Sequence, residues 1–76
     1  MKKRIFYCTG IENGKAWFAD ILDEECEPQY WLPASSNDYH NDIAVGDHID
    51  LGETNNDSKI TDFCFVDEIE VNEFLR

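Results

Sequence analysis

The stretch that decides the fold lies near the amino terminus and reads RIFYCTGIENGKAWFADIL, residues 4–22. Both halves are rich in the β-branched and aromatic side chains that favour strands. Asn13-Gly14 separates them, and this dipeptide favours a tight hairpin turn because both turn positions need a positive φ angle. The pattern predicts antiparallel strands over residues 4–9 and 15–22. The second strand is apolar on both faces through its middle, which indicates a central position.

Three more strands are predicted downstream of this hairpin. They are residues 29–32 between two prolines, residues 45–52 with a tight turn at Gly46-Asp47, and residues 59–66. In the middle segment the alternation places Ile49 and Leu51 inward. The tail, residues 67–76, fits a strand by alternation and a helix by its apolar face and acidic first turn, and we favour a short helix.

Five short strands separated by turns predict a mainly β fold, a small five-stranded antiparallel barrel of the OB-like or SH3-like kind. With 76 residues, we expect one domain spanning 1–76. Residues 45–51 and 59–61 resemble the turn and last two strands of the S1 and initiation-factor-1 type of OB-fold. That resemblance implies an OB-like fold, and no functional residue is assigned from it.

The charge of the chain is concentrated in its middle. Between residues 16 and 58 there is no Lys or Arg, whereas six bases and six acids balance each other elsewhere. The acids of this stretch, which carry the whole net charge of −11, are Asp20, Asp23, Glu24, Glu25, Glu27, Asp38, Asp42, Asp47, Asp50, Glu53 and Asp57. Such a field repels nucleic acid and anionic membranes, so the expected partners include neither.

Compartment and cysteine usage are consistent with each other. No apolar run approaches the roughly 20 residues that a spanning helix needs, and the basic start lacks a secretory apolar segment. The three cysteines are widely spaced and odd in number, which argues against a disulfide framework or a zinc site. We therefore expect a cytoplasmic protein in which Cys8 and Cys64 are small buried core residues.

The sequence contains no pattern that indicates a catalytic or a metal-binding site. His40 and His48 lie among aspartates, but their spacing matches no known ligand module. Ser35 and Ser36 lie near Asp38 and His40 in sequence, but a polar surface loop in so small a domain offers neither an oxyanion hole nor water exclusion. We expect no catalytic residue, no metal site and no cofactor, and hence no enzyme.

Protein binding is the function that the sequence favours. Trp31 and Tyr39 are aromatic residues of the kind that anchor interfaces, and acids flank both in sequence. The predicted partner-binding residues are Glu24, Glu25, Glu27, Trp31, Asp38, Tyr39 and Asp42. We expect a basic protein surface as the partner, bound by an inhibitor, an immunity-type protein or a nucleic-acid mimic. Two alternatives remain open: an OB-like domain that binds nucleic acid or serves as an accessory to a nucleic-acid-handling machine, and acids that serve solubility alone.

Overall fold

A single antiparallel sheet of five strands, followed by one helix, makes up the computed structural model, which describes residues 3–76. The elements are β1 (Ile5–Glu12), β2 (Lys15–Asp20), β3 (Tyr30–Pro33), β4 (His48–Thr54), β5 (Ile60–Val66) and α1 (Glu68–Leu75). The order across the sheet is β3-β2-β1-β4-β5, so β3 and β5 are its edges. The predicted mainly β class is confirmed. Residues 1 and 2 of the predicted 1–76 domain lie outside the described residues.

Local signals in the sequence form the expected turn and helix. Asn13 and Gly14 have φ angles of 53° and 76°, and they join β1 to β2 as predicted. Asp67 precedes α1 with extended backbone, and its carboxylate accepts a 2.9 Å hydrogen bond from the Glu70 N–H. Such a cap satisfies an otherwise unpaired donor of the first turn. The short C-terminal helix that we favoured over a strand is therefore confirmed.

The barrel is not confirmed, because the sheet does not close. One isolated bridge joins Trp31 on β3 to Lys59, which directly precedes β5, and no strand ladder joins β3 to β5 within residues 3–76. β3 is only four residues long and ends at Pro33, whose nitrogen has no hydrogen to donate to a further ladder bond. The connection from residue 34 to 47 then leaves the sheet, so the gap beyond the bridge is not filled by strand pairing.

The core lies on one face of this sheet. Its largest fully buried side chains are Phe6, Cys8, Phe18 and Ile49, whereas Ile5, Ala19 and Val71 are buried outside this core. The inward positions of Ile49 and Leu51 are confirmed, since they are 0% and 4% exposed. The alternate positions of β4, His48 and Asp50, face the other way, as the pleat requires.

The expectation for the cysteines holds for one residue and fails for another. Cys8 is buried as predicted, whereas Cys64 is exposed. Cys64 lies between Phe63 and Phe65 on β5, and successive side chains of a strand point to opposite faces. Phe63 and Phe65 share the core side, so Cys64 must face away from it. Within residues 3–76, no helix has both the length and the apolar character to cross a membrane.

Candidate functional site

The acids of residues 16–58 divide into two groups by what their carboxylates do. Four of the eleven accept hydrogen bonds from backbone N–H groups. Asp20 bonds Leu22, Asp23 bonds Glu25 and Glu27, Asp47 bonds Ala44, and Asp50 bonds Arg4, with distances of 2.9 to 3.3 Å. These four acids hold turns and a strand end, so their presence has a structural cause.

The other seven acids make no such bonds. Within residues 3–76, no hydrogen bond or ion pair involves the carboxylates of Glu24, Glu25, Glu27, Asp38, Asp42, Glu53 and Asp57. The one ion pair of the described chain joins Lys3 to Glu70 at 3.3 Å and lies outside this stretch. All five acids that the sequence assigned to partner binding belong to this second group. No fold requirement accounts for their charge.

The structure places three of these five acids in the connection between β2 and β3. Glu24, Glu25 and Glu27 are exposed there, in a turn held by Asp23 and by a positive φ of 54° at Cys26. Hydrogen bonding with the Cys26 side chain and then burial raise the pKa of Tyr7, with smaller contributions from the charges of Cys26 and Asp23. The turn therefore lies beside β1, on the outer side of the sheet.

Trp31 occupies a different place, where the two edge strands meet. Its backbone N–H bonds the carbonyl of Ser58 at 3.0 Å, and its indole Nε1–H bonds the carbonyl of Asp57 at 3.1 Å. Lys15 Nζ lies 4.3 Å from the ring centroid and Lys59 Nζ lies 5.7 Å from it. We call this arrangement the Trp31 corner. Two positive charges thus lie over the ring of the predicted aromatic anchor, and its backbone and indole N–H groups are already bonded within the chain.

The third predicted group, Asp38, Tyr39 and Asp42, lies together at the opposite end of the gap between the edges. All three line a cleft of about 410 Å³, together with Asp47, His48 and Phe65. We call it the acidic cleft. A neighbouring groove of about 520 Å³ runs between Leu32-Pro33 and residues 59–65 and shares Asp38, Tyr39 and Phe65 with the acidic cleft.

Tyr39 organises this end of the molecule. Its hydroxyl donates a hydrogen bond to the Pro33 carbonyl, which ties the 34–47 connection to the end of β3. Its ring packs edge-on against Phe65 at 5.7 Å and Phe63 at 6.2 Å, a favourable aromatic geometry. Burial raises the pKa of the Tyr39 hydroxyl, and the charges of Asp38 and Asp42 raise it further.

Two residues that sequence reasoning did not assign belong to this site. Phe63 and Phe65 pack edge-on with centroids 5.2 Å apart, and Phe65 remains 47% exposed. A signal for them existed, since two aromatics two positions apart on a strand share one face. What the sequence did not reveal is that their strand is an edge of the sheet.

The histidines give no support to metal or triad chemistry. His48 packs its ring 6.1 Å from that of Tyr7, and His40 is exposed. In the described part of the chain no three His, Cys, Asp or Glu side chains form a group that could hold a metal ion. The Ser36 hydroxyl accepts a 3.1 Å bond from the Asp38 N–H, which is a turn contact and not a nucleophile paired to a base.

Comparisons of the chain with protein-family models, with curated proteins and with solved structures find no match in any of the three. The site must therefore be interpreted from its own geometry.

Proposed function

We propose that this chain is a non-enzymatic, cytoplasmic protein-interaction module that binds a basic surface of another protein. One observation carries the proposal: all five acids predicted to bind a partner are among the seven of residues 16–58 whose carboxylates form no hydrogen bond or ion pair within residues 3–76. The acids with a structural duty are different ones. Side chains that the fold does not use, concentrated in one sign, are available to a partner.

The electrostatic role follows from where these acids lie. They are exposed in two connections, so each is worth little in a static ion pair but contributes to the field that a cationic partner meets. Rim charges of this kind act mainly on the association rate and on its salt dependence. Inhibition of a nucleic-acid-handling protein, immunity to one, or mimicry of its nucleic acid are the roles that suit such a surface.

A partly open barrel of the OB-like or SH3-like kind is part of the same proposal. The Trp31–Lys59 bridge supports it, because it brings the two edges together at one end. A surface curved in this way presents the acidic cleft beside an open edge, which is a shape that a protruding segment of a partner can enter.

A pull-down from host lysate tests the proposal, with the chain as bait at about 50 mM and about 500 mM salt, where the Debye length falls from roughly 14 Å to about 4 Å. We expect a basic protein to be captured at low salt and lost at high salt. The bait with Glu24, Glu25, Glu27, Asp38 and Asp42 changed to their amides should lose it at both.

A matched control removes the same charge elsewhere. Glu12, Glu53, Asp62, Glu68 and Glu73 make no ion pair within residues 3–76, and their amide variants should retain capture. Equal loss in both variants would mean that net charge alone acts, and the acids would then serve solubility. Nucleic acid recovered with the wild-type bait, and lost on nuclease treatment, would instead support the OB-like accessory domain.

A further inference from the structure

The free edge of β5 has a defined hydrogen-bonding pattern. In an antiparallel pair, residues alternate between those whose N–H and C=O face the partner strand and those whose groups face away. The Leu51 N–H bonds the Arg4 carbonyl at 2.8 Å, and the Asp47 carbonyl accepts from the Cys8 N–H at 2.9 Å. The backbone N–H and C=O groups of odd-numbered residues from 47 to 51 therefore face β1. The even-numbered His48 and Asp50 therefore face β5.

The register carries this alternation onto β5. Asp50 lies opposite Cys64 and His48 opposite Val66, so the backbone groups of Cys64 and Val66 bond β4. The N–H and C=O groups of Phe63 and Phe65 point the other way, to the open side. Within residues 3–76 no hydrogen bond outside the strand ladders reaches them. In the described part of the chain, the one backbone bond on this side lies just before β5, where the Trp31 N–H bonds the Ser58 carbonyl.

Natural edge strands are usually protected by charges, prolines or bulges, because an open row of N–H and C=O groups pairs readily with another chain. The first half of β5 has such protection, since the ladder is irregular where Glu53 lies opposite Asp62. The second half, Phe63-Cys64-Phe65-Val66, carries no charge and no proline. It borders both the groove and the acidic cleft.

We propose that this half of β5 accepts an extended, basic segment of the partner as an added strand. The inference rests on the proposed function and specifies how the partner binds. Backbone bonds to Phe63 and Phe65 would hold the segment. Its apolar side chains at alternate positions would lie on the core side, against Tyr39 and Phe65.

Charge decides both the occupant and its direction. Asp38, Asp42 and Asp47 line the cleft at the Val66 end, whereas Lys59 lines the groove at the other end. Lysines or arginines of the segment should therefore lie beside Val66 and not beside Lys59. A second copy of this chain, with its own net charge of −11, is a poor occupant for the same reason.

Synthetic peptides test the proposal directly. The probe is an octapeptide with Val at alternate positions, Thr between them and two Lys at one end, made in two versions with the lysines at the amino or the carboxyl end. One version should bind and slow hydrogen exchange of the Phe63 and Phe65 amides by about tenfold or more. Methylating two backbone nitrogens that face β5 should weaken binding about tenfold, whereas methylating the alternate nitrogens should not.

Matched variants separate this mode from simple charge attraction. Asp38→Asn with Asp42→Asn should weaken peptide binding about tenfold, because two exposed charge contacts with the peptide lysines are lost. Glu12→Gln with Glu73→Gln removes the same charge from residues that line neither the acidic cleft nor the groove, and it should leave affinity within about twofold.

The outcomes against the proposal are distinct. Strand addition is overturned if methylation of the nitrogens that face β5 leaves peptide binding unchanged. It is also overturned if the peptide binds but the Phe63 and Phe65 amides exchange as before. If the lysate partner is still captured in a salt-dependent way, the proposed function survives that result. Strand addition is also overturned if neither peptide binds. A dimer of the chain in sedimentation, formed by pairing of two β5 edges, would instead assign the edge to self-association.

Discussion

The two edges of the sheet meet at the Trp31 corner and stay apart beside the acidic cleft. The two places differ in hydrogen bonding, in the sign of the neighbouring charges and in the exposure of their aromatic side chains. At the corner, the indole and the backbone of Trp31 are bonded and two lysines flank the ring. Beside the cleft, Phe65 is 47% exposed, the carboxylates of Asp38 and Asp42 form no hydrogen bond or ion pair within residues 3–76, and β5 is the last strand of the sheet. An aromatic residue in an acidic sequence context can thus be part of the scaffold, while one in an uncharged part of a strand belongs to the proposed site.

The largest expected effect is on stability at the corner. Trp31→Ala removes a half-buried indole and leaves the Asp57 carbonyl without its donor, so we expect a loss of about 3 kcal/mol in the free energy of unfolding. Phe65→Ala, in contrast, should cost about 1 kcal/mol because the side chain is already half exposed. Urea denaturation of the two variants measures both. Equal losses would erase the distinction between the two regions.

A smaller effect should follow from removing a lysine at the corner. Lys15→Met retains the apolar stem and removes the charge that lies 4.3 Å from the Trp31 ring. Loss of this cation–π contact should cost about 0.5–1 kcal/mol in the same denaturation experiment. Lys3→Met breaks the exposed pair with Glu70 and should cost less than about 0.5 kcal/mol. If Lys15→Met proves neutral, the lysines only neighbour the ring and do not stabilise it.

The burial of Tyr39 in the acidic cleft should make the stability of the protein depend on pH in the alkaline range. Burial, with Asp38 and Asp42 adding to it, raises the pKa of Tyr39 in the folded state. Below about pH 10, where the tyrosine stays protonated in the unfolded chain, the contribution of Tyr39 to the free energy of unfolding is fully present. Above it the unfolded chain releases its proton first, so stability falls as pH rises until the folded hydroxyl ionises too.

The variant Tyr39→Phe isolates this contribution. It loses the bond to the Pro33 carbonyl at every pH, so the informative quantity is the slope of stability against pH and not its value at pH 7. We expect a shallower decline above pH 10 than in the wild type. Some decline should remain, since the pKa values of Cys8 and Tyr7 are also raised. A slope identical to that of the wild type would mean that Tyr39 ionises in both states alike.

Local signals explain why most of the fold could be predicted. Asn13-Gly14, the alternation around Ile49 and the acid-capped start at Asp67 each act over a few residues, and each formed the element it indicated. Closure of the sheet depends on where β3 ends relative to β5, which is a contact between distant parts of the chain. The sequence carries no local signal for that distance.

The candidate site could be predicted only in part, because some of its contacts join distant parts of the chain. Asp38, Tyr39 and Asp42 are close in sequence and remain close in the structure. Trp31 was grouped with the acids because they are its neighbours along the chain, but pairing across the sheet brings Lys15 and Lys59 to its ring instead. Phe65 became visible as a site residue only once the strand order placed β5 at an edge.

Hydrogen exchange of individual backbone amides, followed by NMR in dilute solution of the chain alone, tests the contrast between the two ends most directly. The amides of Trp31, Cys64 and Val66 have acceptors in the structure and should be protected. The amides of Phe63 and Phe65 should exchange at least about tenfold faster than that of Cys64, which lies between them. Protection of Phe63 and Phe65 equal to that of Cys64 would mean that the edge is already covered, and it would contradict the open binding edge on which this account rests.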